Sequence, residues 1–360
     1  MLLQGWFAYP LKSFVSSADG DLGVCSHHSC RHDLTLSQPL DRSPARLTAA
    51  AAPALVGAAF AALCWAAYRL PPPSTWDSEQ LWVAARALLG GGDPYVSVER
   101  RGMNFPLFYP VSAIVAFIPF GALPLAVARA AWAGVGAALL FLAGRRYGRG
   151  LPAALLSAGT VSALLQGQWS PYLTAAVVWP WFAGIWAAKP TLGLALFAAR
   201  PSWRALVTGA ALVGVGWALV PEWVGEWRRA LLASQHVPLI FRPGGFVLLA
   251  ALLRWRQPEG RLLAVLACVP QTTALYETVP LFLIPRTKWE GYGLAGLSYL
   301  AAFGGAVFVP KTPGVSLEQM IAGRWPYVLV FMHLPALLIL LRGASSKAEA
   351  ASEIATGNPR

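Results

Sequence analysis

The chain has 360 residues, of which 56% are hydrophobic and only 12% are charged, with a mean hydropathy of +0.53 and a formal net charge of +12. A soluble domain carries about a quarter charged residues, so this composition excludes a soluble enzyme and requires lipid to cover much of the surface. The positive charge does not indicate nucleic-acid binding, because the basic residues fall in short clusters between apolar runs, as at Arg145-Arg146 with Arg149, Arg254 with Arg256 and Arg261, and Arg286 with Lys288. That is the positive-inside pattern of a polytopic membrane protein.

Residues 1–45 are polar and irregular, and are expected to be a tail or the product of an upstream start codon. Within them Cys25, His27, His28 and Cys30 lie close together, but their spacing matches no strong zinc pattern and no metal site is expected. Cys64 and Cys268 sit in apolar runs and read as small hydrophobes. The first long apolar run begins near residue 47, so no cleavable signal peptide is evident. It ends at Pro71-Pro72-Pro73, since proline cannot continue a helix interior. The segment 74–104 holds Asp77, Glu79, Asp93 and Glu99 and is the most acidic loop of the apolar region.

The apolar segment 105–124 carries four prolines, Pro106, Pro110, Pro119 and Pro124, and reads as a broken helix at the membrane surface. If it crossed, Arg145 and Arg146 at the end of the next run would fall outside, against the charge bias. From a cytoplasmic N-terminus, 125–144 then returns inward, 151–166 goes out and 171–199 comes back. The last is long for one pass and is broken at Pro180 and Pro190. Further runs are 205–220, 245–253, 262–273, 277–285, 292–309 and 325–341. The expected fold is all-α and polytopic, with about ten spans over 46–342, external juxtamembrane helices and a tail at 343–360. In the external stretch 221–244, Trp223, Trp227 and Leu231 recur at helical spacing, as in an interfacial helix. The abundance of Ala and Gly favours close helix packing in lipid.

This topology brings three polar sets to one face: Asp77 and Glu79, Gln166 to Pro171, and Gln271 to Glu277. A carboxylate at an apolar interface has a raised proton affinity, which suits a general base. Asp77 is equally well placed to cap the helix that follows it. Gln166 and Gln168 suit sugar hydroxyls, or simply a polar turn around Gly167. Glu277, beside Tyr276, suits an acceptor or a basic partner on another helix. Lys189, inside an apolar stretch, suits a phosphate or snorkels from a tilted helix. Arg86, Arg100, Arg101, His236 and Arg242 are expected outside, as phosphate ligands or rim charges. There is no Walker loop, no dinucleotide-binding glycine pattern, no Gly-x-Ser-x-Gly and no His-Glu-x-x-His. An enzyme here would need a lipid-borne donor and no cofactor.

The run Asp77 to Tyr95, which includes Ala84-Ala85-Arg86-Ala87-Leu88-Leu89-Gly90-Gly91-Gly92-Asp93-Pro94, resembles the first outer loop of glycosyltransferase family 87. Phe108-Tyr109-Pro110, Ile118 to Pro124, Gly167-Gln168, Lys189-Pro190 and Pro201 to Arg204 are similar to that family in order and spacing. Val111 stands where a second proline is usual, and Trp169-Ser170 where an asparagine follows Gly-Gln. The resemblance covers 74–204. It implies a C-type membrane glycosyltransferase that moves a hexose such as mannose from a polyprenyl-phosphate donor to an envelope lipid or glycan, in a bacterial-type plasma (inner) membrane. It assigns the catalytic role to Asp77, with Glu79 as the neighbouring carboxylate. Arg86, Tyr109, Gln166, Gln168, Lys189, His236, Tyr276 and Glu277 are the expected substrate contacts. The rival readings are a transporter or lipid flippase, and a non-catalytic scaffold.

Overall fold

The computed structural model describes residues 44–69, 77–103, 105–234, 236–309 and 317–342. Contacts divide the chain into Met1–Arg46 and Leu47–Arg360, and the helical architecture belongs to the second unit. The expected zinc-free tail with Cys25 and Cys30, the proline triplet at 71–73 and the C-terminal tail lie outside the described residues.

The described chain is mostly helical. Its elements begin with α1 (Pro44–Arg69), α2 (Asp77–Leu89), α3 (Pro94–Arg100), α4 (Val111–Gly121) and α5 (Leu125–Tyr147). A 3₁₀ helix (Leu151–Leu156) leads into α6 (Ala158–Gln166). Then come α7 (Ser170–Ala175), 3₁₀ helices at Ala176–Val178 and Phe182–Ala188, α8 (Pro190–Ala199), α9 (Trp203–Leu219) and α10 (Trp223–Leu232). A two-residue strand β1 (Val237–Pro238) pairs antiparallel with β2 (Pro270–Gln271). Between the strands lie two more 3₁₀ helices (Leu239–Phe241 and Gly245–Arg254) and α11 (Pro258–Cys268); a further 3₁₀ helix (Leu275–Leu283) and α12 (Lys288–Val307) follow β2. The described chain closes on α13 (Leu317–Ala322), α14 (Trp325–Val328), a π-helical turn (Leu329–His333) and α15 (Leu334–Arg342).

Among the described residues, three stretches are long and apolar enough to cross a membrane: Ala50–Tyr68, Leu125–Tyr147 and Gln319–Arg342. α9 and α10 pass the same test together but are bent by 103°. The expected all-α character with apolar membrane-length helices is borne out, whereas three or four candidate spans among the described residues fall short of the expected count of about ten. Apart from α9 and the 20-residue α12, the remaining apolar runs are short pieces, and several are 3₁₀ helices. That geometry rises about 2.0 Å per residue instead of 1.5 Å, so fewer residues cover a given depth.

α1 and α5 fix the direction of the bundle. Gly57 and Gly134 touch backbone to backbone: a Cβ on Gly134 would come within 2.8 Å of the Gly57 carbonyl oxygen. Nearer the far end of α1, the Cys64 thiol lies 3.6 Å from the Arg129 carbonyl oxygen, and the Arg129 guanidinium stacks 4.7 Å from the Tyr68 ring centroid. The helices are therefore antiparallel, and glycine is what lets them approach so closely. α5, with 23 residues, is about 35 Å long and ends in Arg145 and Arg146.

Around that basic end the other arginines gather. Arg146 lies over Trp179 at 5.9 Å, Arg200 over Tyr147 at 5.1 Å, and Arg149 pairs with Glu259 at 2.6 Å. Arg261 donates to the carbonyls of Ala198 and Ala199 at 2.6 and 3.1 Å, satisfying the otherwise unpaired end of α8. Arg286 donates to Gln257 at 3.3 Å. Segments far apart in sequence thus share one cationic end.

Two expectations change. The segment 171–199 makes three legs rather than one: α7 and its 3₁₀ continuation reach the arginine end at Trp179, the 3₁₀ helix Phe182–Ala188 comes back to Lys189, and α8 goes down again to Arg200. The breaks fall at Pro180 and Pro190, whose rings remove a helical donor and push the preceding residue into extended backbone. The segment 105–124 yields only the 11-residue α4, about 17 Å long. It does not lie open at a surface, because Val111, Ile114, Phe117 and Gly121 are buried against α2, α5 and α9. Its far end stays beside α2, where Gly121 meets Ala85 and the Trp82 indole donates to the Leu123 carbonyl at 2.8 Å.

The two ends should therefore be distinguishable by sided labelling. In a cysteine-free background, Glu99→Cys is expected to react with an impermeant maleimide in intact cells, and Arg146→Cys only after permeabilisation. Labelling of both from one side would contradict the antiparallel α1–α5 pair as a membrane frame.

Candidate active site

The opposite end of the molecule from the arginines holds a cavity of about 650 Å³. Asp77, Tyr109, Gln166, Lys189, His236, Tyr276 and Glu277 all line it, although they come from segments spread over 200 residues. Gln168 stands directly behind Asp77, fully buried.

Asp77 is the first residue of α2, held in place by the α6–α7 turn. Gly167 caps α6 with a left-handed backbone, φ 76°, and its Cα face presses on Ser78 so closely that a Cβ would meet the Ser78 Cβ at 2.3 Å. Only glycine satisfies both conditions. The next residue, Gln168, donates its side-chain amide to the Asp77 carboxylate. Its own carbonyl oxygen accepts from the Tyr109 hydroxyl at 3.1 Å, which sets the amide's orientation. Tyr109 is in turn fixed through its carbonyl, which accepts from the Tyr95 hydroxyl of α3 at 3.0 Å.

Beneath this chain lies an aromatic floor. Trp169 meets Trp132 edge-on at 4.6 Å, and Trp132 stacks on Tyr172 at 4.0 Å. The Tyr172 hydroxyl donates to the Trp132 carbonyl at 2.6 Å. Where the resemblance leads one to expect an asparagine, Trp169 thus serves as core and leaves the polar contact to Gln168.

Lys189 sits at the break between the 3₁₀ helix Phe182–Ala188 and α8, with Pro190 holding it extended at φ −138°, ψ 84°. Its ammonium pairs with Glu277 at 2.9 Å and lies 4.9 Å from the Tyr276 ring centroid. It neither snorkels nor stays unpaired. Glu277 is almost fully buried, and its second oxygen has no hydrogen-bond partner among the described residues. Gln166 donates to Ser162 at 2.6 Å while facing the cavity. The His236 ring packs edge-on to Phe108 at 5.3 Å.

The other two expected site residues lie elsewhere. Arg86 is exposed and stacked on Trp82 at 5.1 Å, four residues back along α2. Glu79 does not line the cavity, and its charge acts on Arg129 of α5. Sequence reasoning passed over Arg324, which lines the cavity and whose Nε has no hydrogen-bond partner among the described residues. Its stem lies against Gly305 of α12. The signal was available: Arg324 stands near the start of the stretch Gln319–Arg342, at the end away from Arg342 and the other basic clusters.

Burial pushes the Asp77 carboxyl up to about 6, with Lys189 pulling it down and Glu277 adding to the rise. The group is thus charged at neutral pH yet has the proton affinity of a working base. Burial also holds the Tyr109 hydroxyl well above its ordinary range, so it stays a neutral donor to Gln168.

Comparison with known proteins gives no match to a family model, to a curated protein or to a solved structure.

A buried carboxylate with a raised pKa stabilises the fold below its unfolded value near 4 and loses that contribution as pH rises through about 6. Asp77→Asn removes the cost of the buried charge. It is expected to raise stability at pH 7.5 by roughly 1–3 kcal/mol and to leave it unchanged at pH 4, as read from thermal unfolding in detergent at both values. Equal destabilisation at both would show that Asp77 is a structural residue.

Proposed function

We propose that the chain is a membrane glycosyltransferase that moves a hexose such as mannose from a polyprenyl-phosphate donor to an envelope lipid or glycan, in a bacterial-type plasma (inner) membrane. The observation that carries this reading is the cavity, in which a carboxylate of raised proton affinity shares one space with three cationic or ionisable nitrogen groups and a mainly apolar wall. The resemblance of 74–204 to glycosyltransferase family 87 points the same way. In this reading the shorter legs cross the membrane as well. The three legs of 170–199 then raise the expected ten passes to about twelve.

The reaction is an inverting displacement. Asp77 takes the proton of an acceptor hydroxyl as that oxygen attacks the anomeric carbon. The carbon–oxygen bond to phosphate breaks, and the polyprenyl phosphate leaves with both electrons. Gln168 holds the carboxylate so that one oxygen meets the hydroxyl. Arg324 and His236 stabilise the charge that develops on the leaving phosphate, while Lys189 is held on Glu277. The apolar lining from Ala301, Ala302, Ile321 and Val328 suits the lipid portion of a substrate. Arg86, exposed on α2, has no part in this mechanism.

One feature also suits a transporter: broken helices meeting at a buried charged pair. Purified protein with radiolabelled polyprenyl-phosphate mannose separates the two, since a transferase releases free polyprenyl phosphate and a transporter returns the donor intact.

Asp77→Asn is expected to lower transfer at least about a hundredfold while the protein stays inserted, and Glu79→Gln to retain most of it. Wild-type turnover in Asp77→Asn would sink the base assignment. Arg324→Gln should raise the KM for the donor roughly tenfold or more, as loss of a charge-assisted contact does, whereas Arg86→Gln should leave it unchanged.

A further inference from the structure

The cavity contains two carboxylates and a lysine, and the lysine has gone to one of them. Lys189 pairs with Glu277 at 2.9 Å, and among the described residues no ion pair joins it to Asp77. Asp77 instead takes the neutral amide of Gln168. We propose that Glu277 is a positioning residue that holds the Lys189 ammonium away from Asp77, so that the Asp77 carboxylate keeps a neutral partner and remains a competent base. The meaning of this clamp rests on the base role proposed for Asp77.

Several features build the clamp. Glu277 follows Tyr276 in the same 3₁₀ helix, so one segment offers Lys189 both a carboxylate and the negative face of a ring. The Lys189 backbone is pinned between two helices by Pro190, which leaves the choice between the two acids to the side chain alone. Glu277 itself is almost wholly buried and has a fixed place, with Thr278 and Val279 beside it fully covered. Gln168, oriented by Tyr109, gives Asp77 a neutral donor on one carboxylate oxygen.

The physical alternative at Asp77 is plain. An ammonium within about 4 Å of a carboxylate favours the charged form and lowers its affinity for a proton. The proton of an acceptor hydroxyl would then have a poorer destination. Tyr109, Tyr276, Lys189 and Glu277 are the groups whose charges or dipoles act on Asp77, with His236 and Arg324 also on the cavity wall. Of these, Lys189 is the cation whose pull on Asp77 is felt, and Glu277 is its ion-pair partner. A Lys189 that stayed in place when Glu277 is neutralised would shift Asp77 only by the loss of the Glu277 charge, the weakest of the influences on it, and not by the larger fall that contact with the ammonium brings.

The test reads that affinity without any sugar donor. The infrared carbonyl band of protonated Asp77, assigned by its loss in Asp77→Asn, is titrated in the full chain reconstituted in nanodiscs. The wild-type band should disappear with a midpoint near pH 6. In Glu277→Gln, Lys189 is released to Asp77 and the midpoint should fall by about one unit or more. In the Lys189→Gln/Glu277→Gln double variant the Lys189 ammonium is no longer there to swing across, and the midpoint should return to the wild-type value or above. The double variant also replaces a charged pair by a neutral one, so it stays folded if loss of one partner alone does not. An unchanged midpoint in Glu277→Gln, or a double variant with its midpoint a unit below wild type, overturns the clamp. Failure of sugar transfer with these shifts intact would overturn the glycosyltransferase reading and leave the clamp standing.

Discussion

Two carboxylates and one ammonium share a site walled mainly by apolar groups, and the rest of the architecture answers to that imbalance. A buried charge needs a partner, and one lysine can serve only one acid at contact distance. Glu277 has it. Asp77 is left with an amide and the end of a helix, and with no cation at contact distance burial raises its proton affinity. Everything that holds the amide in place, from Gly167 on Ser78 to Tyr109 on Gln168 and Tyr95 on Tyr109, is therefore part of the chemistry as much as of the fold. The aromatic stack of Trp132, Trp169 and Tyr172 supplies the stiffness that a loop-borne glutamine would lack.

Helix breaks deliver the polar groups. Asp77 starts α2, Gln168 follows the cap of α6, Lys189 stands between two helices and Glu277 opens a 3₁₀ helix. In a helix interior, backbone groups are satisfied and side chains point to neighbours or lipid. At a break, a residue can turn toward a common space, and the surrounding protein covers the exposed backbone. The prolines that interrupt the apolar runs thus serve to place charges.

Much of this was legible in the sequence. The sided distribution of arginines put Arg145 and Arg261 at one end and the Asp77, Gln168 and Glu277 sets at the other, and the contacts of α1 with α5 agree with it. Pair choice was not legible. Lys189 and Glu277 lie in distant segments, and no local pattern says that they meet. Arg86 looked like a phosphate ligand because it lies on the right loop, but helical periodicity turns it outward onto Trp82. Arg324 was overlooked because it stands singly near the start of the last apolar stretch, apart from the basic clusters. Trp169 has a packing role that only the folded neighbours reveal.

The legs of 170–188 travel to the arginine end and return, so their net displacement across the bundle is nil. Everything after them keeps the sidedness it would have had without them. Charge bias registers parity, and a re-entering pair of short legs leaves parity untouched. Such a hairpin is invisible to any bookkeeping of loops and can be gained, lost or lengthened without inverting the protein. Here it is also what carries Gln168 and Lys189 to the same place, so the topologically silent insertion and the chemically decisive one are the same piece of chain.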